Sequence, residues 1–263
     1  MKNYILYLLA FILSSCNTAV DSGDRAIISV SIIPQKYFVE ELAGRLAEIN
    51  VLIPPGASPA TYEPTVSQLQ KLEHSVVYMR IGYVGFEQSW MDKIKAVNPK
   101  LKIVDLSEGI SLIEEENRLE ESHQGHVHPG PDPHIWMSTH NARIIARNIH
   151  KELMLLFPSE QKYLQERFDH FSASLDSVNH EIMRTLEGME NRKFMIYHPA
   201  LTYYARVYGL EQYSLEIEGK TPSPAHLMEM TDLARTHHIN KILIQSQFDR
   251  KNAEVLARET GAE

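Results

Sequence analysis

Short β-branched runs alternate along this chain with longer stretches in which apolar residues recur every three or four positions. Ala26–Ile32, Ile49–Ile53, Val76–Ile81 and Lys102–Leu106 read as strands, and Gln35–Ala43, Val66–Glu73 and Phe86–Val97 as the helices between them. Gly44 closes the first helix and Pro99 follows the third. Such a β–α series predicts a parallel sheet with helices on its faces. After a polar interval at 107–133, Ala142, Ile145, Ile149, Leu153 and Leu156 mark a helix from about Asn141 to Leu156, ended by Pro158. A longer helical stretch runs from Ser159 to about Glu187. Ser159 is its expected N-cap, and Tyr163, Phe168, Phe171, Leu175, Val178, Ile182 and Leu186 form its stripe. At about 1.5 Å per residue it would be roughly 40 Å long, enough to pass from one lobe into another.

The alternation then restarts. Lys193–Tyr197, Gln212–Ile217 and Lys241–Gln245 read as strands, and Leu201–Tyr208, Ser223–His237 and Lys251–Thr260 as helices. The expected fold class is α/β, with two lobes, each a parallel sheet flanked by helices, bridged by one long helix. The lobes fall at 26–158 and 189–263, with the bridging helix at 159–188. A helix that leaves a parallel sheet normally returns to it, so the C-terminal lobe is expected to be incomplete at Glu263.

The first residues read differently. Residues 1–15 are expected to be a lipoprotein signal peptide, because Tyr4–Leu13 is apolar but too short for an ordinary membrane helix. The tetrad Leu13-Ser14-Ser15-Cys16 resembles a bacterial lipobox, which implies cleavage before Cys16 and a lipid on its sulfur. Residues 16–25 read as a polar tether. Cys16 is the only cysteine, so an internal disulfide and cysteine metal ligands are both excluded. The expected location is outside the cytoplasm, in the periplasm or at the cell surface, tethered to a membrane by Cys16. Hydrophobic residues at 43% and charged residues at 23% are globular values. The net charge of −8 argues against nucleic acid as a partner and suits the capture of a cation.

The candidate chemistry is histidine. Residues 121–142 hold five of the thirteen histidines. His123, His126 and His128 sit among Gly and Pro in a segment that reads as a mobile loop over 121–133. His134 follows in Asp-Pro-His-Ile-Trp, just before a helix. Neutral imidazole is the commonest protein metal ligand, and a histidine-rich tract feeding a folded element points to a transition metal, zinc first. Ligands of open α/β sheets bind beyond the carboxyl ends of the strands. His198 directly follows the strand Lys193–Tyr197, Glu218 follows Gln212–Ile217, and the Pro54–Pro64 segment follows Ile49–Ile53. Facing carboxyl edges would bring His134 and His198 together from opposite lobes. The remaining histidines, on predicted helices or their ends, are expected mostly to face solvent.

At this point a set of motifs matches a family. IPPGASPATYEPT, Gly82…Gly85-Phe86-Glu87, DPHIWMSTHNA, YHPALTYYARVYGLEQ and EGKTPSP resemble the zinc- and manganese-binding receptor proteins of bacterial ABC importers. The resemblance runs in order over nearly the whole mature chain. It implies two α/β lobes bridged by a long helix, one metal ion in the cleft, and His134 and His198 as ligands. It also implies a monomeric receptor that binds Zn²⁺ and delivers it to an ABC permease, with no catalysis. One position departs from the pattern. The family's first ligand histidine is Ala60 here, and alanine cannot coordinate. A loop histidine (His123, His126 or His128), a nearby Glu63, Glu218 or His226, or missing C-terminal residues beyond Glu263 together with water could complete the shell, and the sequence leaves these open.

Three alternatives bear comparison. A Mn²⁺ or iron receptor of the same family is disfavoured by His198 and by the histidine-rich tract, since imidazole suits zinc and carboxylates suit manganese. A zinc hydrolase is suggested by His126…His128…Asp132…His134, but the spacing is off by two residues and that fold needs antiparallel strands. An exported receptor or cell-adhesion protein without a functional metal is kept open by Ala60.

Overall fold

The computed structural model describes residues 25–57, 62–114, 130–216, 222–245 and 250–262. Cys16, Ala60, His123, His126, His128 and Glu218 lie outside the described residues, as does the segment expected to be signal peptide and tether, apart from Arg25. The first sheet contains β1 (Ala26–Val30), β2 (Ala47–Val51), β3 (Ser75–Arg80) and β4 (Lys102–Asp105), all parallel, in the order β2-β1-β3-β4. Its crossovers are α1 (Ile33–Ala43), α2 (Val66–Glu73) and α3 (Gly85–Val97). Then come α4 (Thr139–Leu156) and α5 (Gln161–Leu186). The second part holds β5 (Lys193–Ile196), α6 (Thr202–Tyr208), β6 (Glu211–Ser214), α7 (Pro224–Thr236), β7 (Ile242–Leu243) and α8 (Lys251–Thr260). Its parallel sheet has the order β6-β5-β7.

Alternation along β3 explains the layering. Val77 and Met79 point into a core built with α1, α4 and α5, while Tyr78 points into one built with α2 and α3. Side chains two apart share a face of a strand, so a strand buried on both faces must be apolar throughout. In the second sheet Met195, Tyr197 and Leu215 pack on Met230 and Ala234 of α7 and Ala253 and Leu256 of α8.

α5 has 26 residues, about 39 Å of helix. Leu164 and Phe171 bury against the first core, but Val178 is 46% and Met183 58% exposed, so the helix outruns that core before the chain enters β5. Near its start, Arg167 Nε donates to the main-chain oxygen of Glu41 (2.6 Å), satisfying a carbonyl that the end of α1 leaves unpaired. Gly44 (φ +53°) ends α1 where a Cβ would run into the Tyr163 hydroxyl, which lets α1 approach α5.

Some boundaries differ from the sequence expectation. α5 is not capped by Ser159. Pro158–Glu160 form a 3-10 turn instead, with the Glu160 N–H bonded to the Phe157 carbonyl (3.0 Å), and the helix starts after it without a side-chain cap. α4 begins at Thr139, ahead of Asn141, because the Ser138 hydroxyl accepts from the Asn141 N–H. β6 and β7 are shorter than their apolar runs, since their last residues leave the ladder to serve the site described below.

The Gly82–Glu87 motif has a structural explanation. Glu87, 1% exposed, accepts from the N–H groups of Ile81 (2.9 Å) and Gly82 (2.7 Å) and from the Ser31 hydroxyl, tying α3 to the ends of β1 and β3. Burial pushes its carboxyl above the usual range, against the pull of these donors. Glu87→Gln replaces one acceptor oxygen with an NH₂ facing an N–H. It is expected to lower stability by about 1–3 kcal/mol, the cost of a buried polar group left unpaired, measured by urea unfolding at pH 7.

Candidate metal centre

His134 is fixed by its neighbours. The Asp132 N–H donates to the Ile113 carbonyl (2.9 Å), and the Asp132 carbonyl accepts from the Tyr203 hydroxyl (2.9 Å). Asp132 Oδ1 accepts twice from His134, from its main-chain N–H (2.8 Å) and from ring Nδ1 (2.8 Å). Ile135 is fully buried and anchors the short 3-10 turn Ile135–Met137 that leads into α4. Trp136 lies edge-on to the His134 ring at 5.3 Å and packs against both cores flanking the first sheet. Burial works to raise the Asp132 carboxyl, but the hydrogen bond and charge of His134, with a bond from Thr202, prevail and hold it below the usual range.

His198 lies just past the end of β5, the central strand of the second sheet, and both neighbouring strands grip it. From beyond β6, Glu216 Oε2 accepts from His198 Nδ1 at 2.9 Å. From beyond β7, the Gln245 amide brackets the main chain, accepting from the His198 N–H (3.4 Å) and donating to its carbonyl (2.8 Å). The β5–β6 register runs from Lys193–Glu211 to Ile196–Ser214, and carrying it two residues further pairs His198 with Glu216. The Glu216 N–H bonds to the Tyr197 carbonyl at 2.9 Å, which keeps the chain after β6 beside the chain after β5.

The two histidines meet. Nε2 of His134 and Nε2 of His198 are 3.2 Å apart, with ring centroids 5.1 Å apart and planes at 75°. Their side chains are 17% and 30% exposed, while the carboxylates behind them are 1% (Asp132) and 5% (Glu216) exposed. A carboxylate only accepts, so each Nδ1 carries a proton, and in the neutral imidazole that leaves Nε2 as the lone-pair atom. With both imidazoles neutral, two lone-pair nitrogens 3.2 Å apart suit a shared positive charge.

The other candidates fall elsewhere or outside the description. Glu63 is exposed. His226 sits in the first turn of α7, with Nδ1 3.3 Å from Glu229. Among the described residues, no group of three or more His, Cys, Asp or Glu side chains forms a metal site. The histidine-rich interval is closed at its foot by an antiparallel bridge between Glu114 and Pro131. His150 departs from the solvent-facing expectation. It stacks on Phe168 at 4.6 Å, and burial lowers its pKa despite the nearby Asp169. A cleft of about 840 Å³ among α4, α5 and α6 is lined by Thr139, Arg143, Asn179 and Tyr208 and contains neither His134 nor His198.

Sequence reasoning missed the supporting roles of Asp132, Glu216, Gln245 and Tyr203. Asp132 stands two residues from His134, and the Glu216 pairing follows once β5–β6 register is known. Gln245 and Tyr203 leave no local signal. Tyr203 is fully buried, accepts from the Ile113 N–H (3.2 Å) and donates to Asp132, so α6 braces the corner that holds His134. Burial pushes its phenol up to about 12 from an ordinary 10.0. An unfolded chain would ionise at the ordinary value, so this contribution is complete below pH 10 and fades as the pH rises towards about 12. Tyr203→Phe leaves the Ile113 N–H and the Asp132 carbonyl unpaired, and is expected to cost about 1–3 kcal/mol in denaturant unfolding at neutral pH, with the loss shrinking above pH 10.

Comparison with known proteins agrees with this architecture. The family model for zinc-uptake complex component A, periplasmic (ZnuA), matches residues 28–263. The high-affinity zinc uptake system protein ZnuA of Bacillus subtilis is 27% identical over 95% of this chain and 80% of its own length. The zinc-binding lipoprotein AdcA of Streptococcus pneumoniae is 24% identical over 97% of this chain, which spans only 52% of that protein. A crystal structure of ZnuA superposes with a TM-score of 0.81 at 36% identity, covering 91% of this chain and 89% of that one. Among the described residues, no helix is long and apolar enough to cross a membrane.

Proposed function

The chain belongs to the periplasmic zinc-uptake component A family, and on that premise we propose that it is an extracytoplasmic receptor that binds Zn²⁺ between its two lobes and delivers it to an ABC importer. The observation that carries this reading is the 3.2 Å approach of two Nε2 atoms whose Nδ1 partners are buried carboxylates. With bonds of about 2.0–2.1 Å to both nitrogens, an ion at this separation subtends roughly 100–105°, close to the tetrahedral angle zinc prefers. Two imidazoles favour zinc over manganese, which prefers oxygen ligands. The names of relatives, a zinc uptake system protein and a zinc-binding lipoprotein, point the same way.

The mechanism is binding without catalysis. His134 comes with the first lobe (26–158) and His198 with the second (189–263), so the ion closes the cleft, and the bridging helix (159–188) keeps the motion small. The remaining coordination positions fall to His123, His126 or His128, to Glu218, or to water; His226, held on Glu229 in α7, is not among them. Cys16 carries the membrane anchor, as the lipobox resemblance implies and the name of the streptococcal relative supports.

The untagged mature protein, dialysed against trace zinc, is expected to retain one tightly held ion by elemental analysis. His134→Ala and His198→Ala should each weaken zinc binding by at least about tenfold in competition with a chelating dye, and a protein that holds no stoichiometric metal sinks the reading. Excess Mn²⁺ should fail to displace zinc; displacement would favour the manganese alternative.

Acid is expected to release the ion, because protonated imidazole cannot coordinate. Affinity should therefore fall steadily from pH 7.5 to 5.5, and a flat profile over that range would exclude histidine coordination.

A further inference from the structure

We infer that Glu216 is a positioning and affinity-determining residue of the zinc site, acting through His198, and that Asp132 does the same for His134. This rests on the zinc reading above. Glu216 and Asp132 are buried, and each spends a carboxylate oxygen on the Nδ1 of one histidine. Each bond fixes a tautomer and a ring rotation, so that both Nε2 atoms meet at 3.2 Å. An imidazole hydrogen-bonded to a carboxylate is also a stronger electron donor to a metal.

Charge supports the assignment. Two neutral imidazoles bring no charge to offset a dication. Two buried carboxylates one hydrogen bond behind the ligands match the two positive charges of Zn²⁺. A buried charge is costly unless paired, so the bound ion and the two carboxylates stabilise one another. Glu216 reaches His198 Nδ1 from just beyond β6 at 2.9 Å, and Gln245 holds the His198 main chain from the other side, so a change in the ring bond is felt at Nε2.

The test compares Glu216→Ala and Glu216→Gln with the wild type, using Zn²⁺ itself as the probe and a chelating dye as competitor. Glu216→Ala should weaken zinc binding roughly 10–100-fold, the usual effect of losing such a partner. Glu216→Gln keeps an acceptor oxygen but no charge, and should recover part of that loss. Nitrogen-15 NMR of the zinc-loaded wild type should show His198 protonated at Nδ1 and bound through Nε2, which a merely structural Glu216 would not dictate. The NMR arm needs no substitution and decides the matter if Glu216→Ala fails to fold. Metal bound through Nδ1, or wild-type affinity in both Glu216 variants while His198→Ala loses zinc, overturns this inference and leaves the zinc reading standing. Wild-type affinity in His198→Ala overturns both.

Discussion

Parallel pairing is the constraint on which the rest of this structure depends. A strand can lie parallel to its neighbour only if the chain crosses back over the sheet, so every strand of a parallel sheet ends at the same edge. Here the ends of β5, β6 and β7 lie side by side, and each supplies one part of the same arrangement: His198, its ring partner Glu216 and its main-chain clamp Gln245. A one-residue slip between β5 and β6 would turn Glu216 to the other face and leave His198 Nδ1 without its carboxylate. The register is held by ladder pairs from Lys193–Glu211 to Ile196–Ser214, and by Met195 and Leu215 in the core beneath.

The first lobe solves the same problem by different means. His134 is not on a strand edge but on a corner, and its position is set by contacts distant in sequence. The Ile113 carbonyl, the Tyr203 hydroxyl and the buried Ile135 hold the Asp132–Ile135 segment from three directions. Tyr203 belongs to α6 of the second lobe, so the corner carrying one histidine is braced by the lobe carrying the other. A second contact of this kind joins Thr139 of α4, Asn179 of α5 and Tyr208 of α6 through hydrogen bonds of 2.8–3.0 Å. Such cross-links tie α6 to α4 and α5.

Three buried carboxylates, those of Glu87, Asp132 and Glu216, are each paired. Glu87 holds the turn after β3, Asp132 and Glu216 hold the two histidine rings, and each has its donors within hydrogen-bond reach. The difference lies in what the pairing leaves unsatisfied. Around Glu87 the donors are main-chain and hydroxyl groups, and nothing is offered to a ligand. Around Asp132 and Glu216 the ring donors are imidazoles, and each bond leaves an Nε2 atom facing the other histidine.

The sequence by itself determined the order of strands and helices, the restart of the alternation after a long helix, and the two histidines to watch. It could do so because hydrophobic period, Gly and Pro stops and the Asp-Pro-His and Tyr-His-Pro motifs are local signals, readable without knowing what touches what. It placed the end of β6 too late and the cap of α5 one residue early, where side chains and a 3-10 turn outweighed local preference. Only the tertiary structure decided that Glu216 is the carboxylate at His198, that Gln245 clamps it, that Tyr203 braces Asp132, and that the two Nε2 atoms converge. Those facts depend on strand register and on how the lobes meet, and both are set by packing between residues far apart in the chain.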